Sequence, residues 1–267
     1  MTRFFLRERI PEDREALVLT GPDAHHLRDV LRARPGESVV VCDANGTELS
    51  CRVADAEADG VRLTIESRRP DDAEPHYEAV LLQGLAKGER MDVLVQKSVE
   101  LGVSRIVPFS SSRCVVRLDR EEGRRKADRW NRIAEEAAKQ SGRSRIPPVD
   151  PPVPFDEALR IAREADLCFL PWEGETARNL WDFRLDPATR ETVRFVTESG
   201  RVPRIAFLIG PEGGFSPEEA GEALSMGIPT ITLGRRILRT ETAGPAVLAQ
   251  LSLLFDRFPN PYPDAPI

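Results

Sequence analysis

The stretch IAFLIGPEGGFSPEEAGEALSMGIPTITLGRRILRTETAGPAVLA, residues 205–249, decides how the chain is read. Ile205–Ile209 is an apolar run free of charge and bounded by Pro203 and Gly210, as suits a strand buried on both faces of a parallel sheet. Gly210-Pro211-Glu212-Gly213-Gly214 follows as a turn. Ser216-Pro217-Glu218-Glu219 then offers an N-cap, a proline at the first helical position and a carboxylate placed to close a capping box, so a helix starts at Ser216. The order repeats, with Thr230–Leu233 as strand, residues 234–240 as loop and Glu241 onward as helix. Two strand-loop-helix crossings stand side by side. In open α/β sheets ligands bind at the carboxyl ends of such strands, where glycine lets the backbone approach them closely.

The first loop lacks the Lys-Ser/Thr pair of a Walker loop, and its glycines are not spaced as in the dinucleotide fingerprint. Tight-turn chemistry alone also explains a glycine-bearing turn. The second loop argues for a ligand, because Arg235, Arg236 and Arg239 stand beside Thr240 and Glu241 with apolar Ile237 and Leu238 between them.

LIGPEGGFSPEE (208–219) followed by LGRRILRTETA (233–243) resembles the C-terminal motifs of the SPOUT methyltransferases, most closely those of the RsmE family of ribosomal RNA methyltransferases. The resemblance extends through KGERMDVLVQKSVELGV (87–103), FSSSRCVVRLD (109–119) and EEAAKQSGRSRIPPV (135–149), and so covers most of the chain. It implies an α/β fold whose C-terminal parallel sheet is tied in a trefoil knot, preceded by a small PUA-like β-barrel that grips RNA. It also implies binding of S-adenosyl-L-methionine in the knot, and methylation of N3 of a uridine in 16S ribosomal RNA of the small subunit by a homodimer. General topology rules count against a deep knot, so that feature rests on the resemblance alone.

The 267 residues are comfortable for two domains. With 31% charged residues and no apolar run of transmembrane length, no membrane span is expected. Arg7-Glu8-Arg9 ends the first apolar run too early for a signal peptide, which points to the cytoplasm. Cys42, Cys51, Cys114 and Cys168 are far apart and make no ligand spacing with the histidines, so reduced thiols and no metal site are expected. The net charge of −6 argues against indiscriminate nucleic-acid binding. Its distribution says more: from Arg113 to Arg145 eleven Lys/Arg face six acids, a local excess of five. A solvated helix laced with ion pairs explains that excess as well as an RNA face does.

Short strands are expected at Arg3–Leu6, Ala16–Leu19, Ser38–Cys42, Glu48–Val53 and Val61–Glu66, with one helix over Pro22–Arg32 carrying an apolar stripe of His26, Leu27, Val30 and Leu31. This β-rich unit, residues 1–71, is the part that the resemblance makes PUA-like. Residues 72–76 are polar and proline-bearing and read as a linker. The domain over 77–258 opens with a strand at Tyr77–Leu82 and a helix from Glu89, in which Met91, Leu94, Val95, Ser98 and Val99 share one face and Gly102 follows the cap. A strand at Ile106–Phe109, helices at 121–141, 155–163 and 187–200, and a strand at Asp166–Leu170 continue the alternation that predicts a parallel sheet. The apolar helix over Ala243–Phe255 has a surface broad enough for both a core and a dimer interface, and 259–267 reads as a loose tail.

Methyl transfer from a sulfonium needs a nucleophile held in line, and a uridine N3 must first lose its proton. Glu212 and Glu241 are the candidate bases, and Arg239 the candidate cation for the uracil oxygens. Both carboxylates have structural alternatives, Glu212 as an anchor for the loop and Thr240-Glu241 as a helix cap. Pro171, Ile209, Gly210, Pro211, Glu212, Gly213, Gly214, Leu233, Gly234, Arg236, Ile237, Leu238 and Thr240 are the expected cofactor contacts. Arg3, Arg7, Arg28, Arg32, Lys87, Arg90, Arg113, Arg143 and Arg145 are the expected RNA contacts. The competing functions are a SPOUT-type enzyme acting on another RNA nucleotide, a non-catalytic RNA-binding protein that keeps the fold, and a nucleotide-binding enzyme using the glycine loop for phosphate. The missing Lys-Ser/Thr pair speaks against the last.

Overall fold

The computed structural model describes residues 2–57, 60–70 and 73–256; the expected tail at 259–267 and the first residue of the expected linker lie outside them. The chain divides into two compact units, residues 1–74 with 138–146, and residues 75–137 with 147–267. The segment 138–146, inside the domain over 77–258 expected from sequence, falls in the compact unit of residues 1–74.

The first unit holds β1 (Arg3–Phe5), β2 (Ala16–Leu19), α1 (Gly21–His25), β3 (Ser38–Cys42), β4 (Glu48–Glu57) and β5 (Gly60–Arg69). Its sheet has the order β1-β3-β4-β5-β2, parallel between β1 and β3 and antiparallel elsewhere. Two register shifts in the β4–β5 ladder, at Ser50/Cys51 and Val53/Asp55, bend the long strands. The sheet curls enough for Phe4 of β1 and Leu17 and Leu19 of β2, at its two ends, to share one core. All five strands are legible as short runs between turn residues; the helix differs. After α1 the chain makes a π-helical turn, His26–Val30, closed by Leu31 N–H donating to the His26 carbonyl. The wider turn rotates the expected stripe: Leu27 is buried, whereas Val30 and Leu31 are exposed. In the same unit the Arg143 guanidinium is buried and donates to the Glu74 carboxylate through Nε at 3.1 Å, with a second contact through Nη2.

The second unit runs β6 (Glu78–Gly84), α2 (Arg90–Glu100), β7 (Val103–Ser110), α3 (Arg120–Ser141, whose last turn lies beyond the unit), β8 (Val153–Pro154), α4 (Phe155–Arg163) and β9 (Leu167–Pro171). It continues with α5 (Leu180–Leu185), α6 (Pro187–Glu198), β10 (Arg204–Ile209), α7 (Pro217–Ser225), β11 (Thr230–Ile231) and α8 (Thr240–Phe255). The helix α5 has no clear signal in the sequence beyond its capping box, in which Asn179 and Asp182 satisfy each other's backbone N–H groups. The sheet order is β11-β9-β10-β6-β7-β8, with every pair parallel.

The β-strand period of two sorts the central residues. Val80 and Leu82 of β6 join Ala206 and Leu208 of β10 on the face covered by α4 and α7. Leu81 meets α8 on the other face, where a Cβ on Gly244 would stand 3.4 Å from its Cδ2. The expected face of α2, Met91, Leu94, Val95, Ser98 and Val99, is buried throughout. At the start of α7, Ser216 Oγ accepts from Glu219 N–H while Glu219 accepts from Ser216 N–H, and Glu219 Oε1 also accepts from Ser112 N–H at 2.7 Å. The box thereby ties the loop after β7 to the helix after β10.

The closest backbone approach in this unit is at Gly84, where a Cβ would stand 2.5 Å from Pro211 N and 2.7 Å from its Cδ. Gly84→Ala is expected to cost about 1–3 kcal/mol through overpacking, read as a lower urea midpoint with an unchanged slope. In the first unit, Arg143→Ala leaves a half-buried Glu74 charge without its cation and is expected to cost about 3 kcal/mol in the same measurement.

Candidate functional site

Strands β6, β7 and β8 step outward in one direction and β10, β9 and β11 in the other, so the order of the sheet reverses between β6 and β10. Beyond the carboxyl ends of strands at such a reversal lies the crevice that α/β sheets use for ligands. A cavity of about 1040 Å³ lies there. Its wall takes in every expected cofactor contact, from Pro171 through Ile209–Gly214 to Leu233, Gly234, Arg236–Leu238 and Thr240. All three candidate catalytic residues, Glu212, Arg239 and Glu241, line it as well.

The glycine loop is folded tightly on itself. A Cβ on Gly210 would come within 2.9 Å of the Gly214 carbonyl carbon, and Gly214 has φ +64° with the Glu173 carboxylate 2.7 Å from where its Cβ would be. Gly213 has no positive φ, and a Cβ there would stand 3.1 Å from Arg113 Cβ. The requirement for glycine is therefore sharpest at 210 and 214. Thr240 does not cap α8: Arg239 occupies the N-cap position without a side-chain bond, and the Thr240 hydroxyl turns inward. It donates to the Gly210 carbonyl at 2.7 Å and accepts from Gln83 Nε2 at 2.8 Å. Gln83 is fully buried, and its only signal in the sequence is an amide in an otherwise apolar strand.

Four carboxylates line the cavity. Glu212 Oε1 accepts from Lys87 N–H at 2.7 Å and Arg90 Nη1 at 3.0 Å, so this residue is the anchor for its loop. Glu175 accepts from the N–H groups of Ala177 and Arg178 and from the Thr230 hydroxyl, and these bonds hold its carboxyl below the usual range. Glu241 Oε1 faces Arg90 Nε at 3.7 Å, while its Oε2 is buried with no hydrogen-bond partner. Glu173 is exposed. The cations Arg235, Arg236 and Arg239 are exposed too, and none has a carboxylate within salt-bridge distance among the described residues. Ile237, expected as a wall, is 88% exposed at the mouth. Trp172, Glu173, Glu175 and Thr176 complete the wall on the β9 side, and beyond Pro171 the sequence gives no motif for them.

The expected RNA contacts separate into two groups. Arg3 pairs with Glu48 at 2.8 Å, Arg28 pairs with Asp29, Arg90 joins Glu212 to Glu241, and Arg143, 4% exposed, pairs with Glu74. Arg3 and Arg143 are thus internal ties, because a carboxylate folded against each already neutralises it; Arg90 is part of the cavity wall. Arg7, Arg32, Lys87 and Arg145 are exposed, Arg145 bonding the Asn45 carbonyl. Arg113 is exposed and donates to the Gly213 carbonyl at 2.9 Å. Among the described residues no group of three His, Cys, Asp or Glu is placed to hold a metal ion, and no helix is long and apolar enough to cross a membrane.

Comparison with known proteins bears on the same residues. Residues 73–252 match the RNA methyltransferase domain family, and residues 19–66 match the RNA methyltransferase PUA domain family. Ribosomal RNA small subunit methyltransferase E of Bacillus subtilis is 29% identical over 257 residues, covering 94% of this chain and 96% of that protein. The crystal structure of ribosomal RNA small subunit methyltransferase E from Neisseria gonorrhoeae, bound to S-adenosyl methionine, is 33% identical with a TM-score of 0.79, over 96% of this chain and 98% of that one. A structure from Legionella pneumophila in complex with the same cofactor is 30% identical with a TM-score of 0.77, over 95% and 98%. With both domains matched in order and the parallel sheet in the matching fold, the chain belongs to the RNA methyltransferase domain family and, within it, to the ribosomal RNA small subunit methyltransferase E family.

Proposed function

We propose that the protein transfers a methyl group from S-adenosyl-L-methionine to N3 of a uridine in the 16S RNA of the small ribosomal subunit. The observation that carries this reading is the cavity at the sheet reversal, where two backbone loops meet an unpartnered buried carboxylate oxygen and three unpaired arginines. Its volume and mixed lining suit a ligand of cofactor size. Residues 209–215, bent tightly at Gly210 and Gly214, form one side of it, while Leu233 and Leu238 give it apolar walls. When bound, S-adenosyl-L-methionine supplies a methyl group activated by a sulfonium.

The chain's own residues then have three tasks. Residues 209–215 and 233–238 orient the donor and exclude water from it. Glu241 Oε2, buried and without a partner, accepts the N3 proton of the uracil, and Arg90 against Oε1 holds the carboxylate in place for this. Arg239, exposed at the start of α8, stabilises the negative charge that spreads onto the uracil oxygens as the proton leaves. Of the two candidate bases Glu241 is the better, because Glu212 already holds Lys87 N–H and Arg90.

The same reading includes the trefoil knot, supported by the return of α8 through Thr240 onto both Gly210 and Gln83. It includes a homodimer, supported by Leu253 on α8 and Val93 on α2, which leave apolar surface uncovered on two packed helices. The RNA substrate class supports a cytoplasmic location.

Glu241→Gln keeps the shape of the side chain and removes the base. It is expected to lower single-turnover methyl transfer to unmodified small subunits by about a hundredfold or more, with the affinity for S-adenosyl-L-methionine unchanged. Methyl transfer at the wild-type rate would remove Glu241 from the role. Arg239→Ala is expected to lower the same rate by at least about tenfold, with less effect when lysine replaces the arginine; equal losses for alanine and lysine would argue for a bidentate contact rather than charge alone.

A further inference from the structure

We infer that Glu173 is a cofactor-binding residue, accepting hydrogen bonds from the ribose diol or the ammonium group of the methyl donor; the inference rests on the proposed cofactor. Four carboxylates line the cavity, and the structure engages three of them. Glu212 holds Lys87 N–H and Arg90, Glu175 holds its own turn and Thr230, and Glu241 faces Arg90. Glu173 alone has no hydrogen bond or ion pair to another described residue.

The segment that carries Glu173 is firmly built. Trp172 N–H donates to the Ile231 carbonyl at 3.0 Å, and Glu175 N–H donates to the Trp172 carbonyl at 3.1 Å, closing a turn over residues 172–175. The Trp172 ring lies over Gly174 so closely that a Cβ there would stand 2.5 Å from it. Just beyond the turn, Glu175 locks the chain through Ala177 and Arg178 N–H. Within this frame the Glu173 carboxylate makes no structural bond, and its two oxygens stand 2.7 and 2.9 Å from where a Cβ of Gly214 would be. It therefore packs against the glycine loop itself, and residue 214 can carry no side chain partly because this carboxylate occupies the space.

Charge selects the ligand group. Arg235, Arg236 and Arg239 make the loop after β11 cationic, suited to phosphate and to the uracil oxygens. Glu173 is the acceptor left on the β9 side, and the donor molecule offers it two matching groups, a vicinal diol and an ammonium. A carboxylate takes either through short charge-assisted bonds.

The test is equilibrium binding of S-adenosyl-L-methionine, S-adenosylhomocysteine and 5′-methylthioadenosine to the full-length wild type, Glu173→Gln and Glu173→Ala. Because Glu173 makes no structural bond, both variants are expected to keep the wild-type thermal midpoint without ligand. The alanine variant is expected to bind S-adenosyl-L-methionine and S-adenosylhomocysteine about tenfold or more weakly, and the glutamine variant to fall between it and the wild type. A parallel loss for 5′-methylthioadenosine, which has the diol and no ammonium, assigns the contact to the ribose; a loss confined to the two larger ligands assigns it to the ammonium. Wild-type affinity of both variants for all three ligands overturns the inference while leaving the cofactor assignment intact. A wild-type protein that binds none of the three overturns the cofactor assignment, and the inference with it.

Discussion

Gln83 Nε2 donates to Thr240 Oγ1, and Thr240 donates in turn to the Gly210 carbonyl. This two-bond chain joins the end of β6, the end of β10 and the first residue of α8, three parts of the sequence separated by more than a hundred residues at the widest. It has to lie in the interior, because β6 and β10 are the two central strands, buried on both faces. A buried amide is tolerated only when bonded, and Gln83 Nε2 also reaches the Gly84 carbonyl at 3.0 Å. Geometry at the site follows from this: with Gly210 held against Thr240, the first loop cannot leave the second, and the cavity exists between them. The close passage of Gly84 under Pro211 fixes the same junction sterically, so polar and packing constraints reinforce one another.

Around that junction the chemistry is divided by which charges the fold uses up. Arg90 sits between Glu212 and Glu241 and leaves one oxygen of Glu241 unpartnered in the interior, an arrangement that stability alone does not favour. Unsatisfied buried acceptors concentrate where a ligand completes them. The other unsatisfied polar atom beside this junction, Gln83 Oε1, belongs to the clamp itself and lies away from the cavity wall. Arginines and carboxylates that reached the site in equal number thus leave it unequal, with free cations on the 234–239 loop and free acceptors at Glu241 and Glu173.

The fold was legible wherever a residue's local choice agreed with its global role. The uninterrupted apolar runs of β6 and β10, the Ser216–Glu219 box and the one-faced pattern of α2 each state their structure in a few consecutive residues. Elements set by distant partners were not legible. The π-helical turn after α1 depends on which residues the curled sheet can bury, β8 is a two-residue ladder defined by its neighbour, and α5 is short enough that its capping box is its main signal, whereas β11 was expected and is only shorter than its apolar run, Thr230–Ile231 instead of Thr230–Leu233. At the site the glycine and arginine loops were visible because unusual backbone and charge requirements leave a mark on composition. The loop from Pro171 to Gly174 is marked only by its position after a strand and carries no motif, because a turn locked by its own backbone bonds needs no distinctive residues.

Charge patterning was the least reliable guide, and the reason is physical. The excess of cations over 113–145 includes Arg125 beside Glu121, Arg129 beside Asp92 and Arg143 beside Glu74, pairs that a count of nearby acids cannot assign because two of the three carboxylates lie far off in sequence. A cation folded against a carboxylate releases few counterions on meeting a phosphate, so it contributes little to RNA affinity. What remains in the C-terminal unit is Arg113, Arg117, Arg120, Arg124, Lys126 and Arg132, all exposed and without a carboxylate partner among the described residues. Of these Arg113 alone donates to the backbone of the cavity wall, at the carbonyl of Gly213, so among these exposed cations it is the one held by the loop that shapes the cavity.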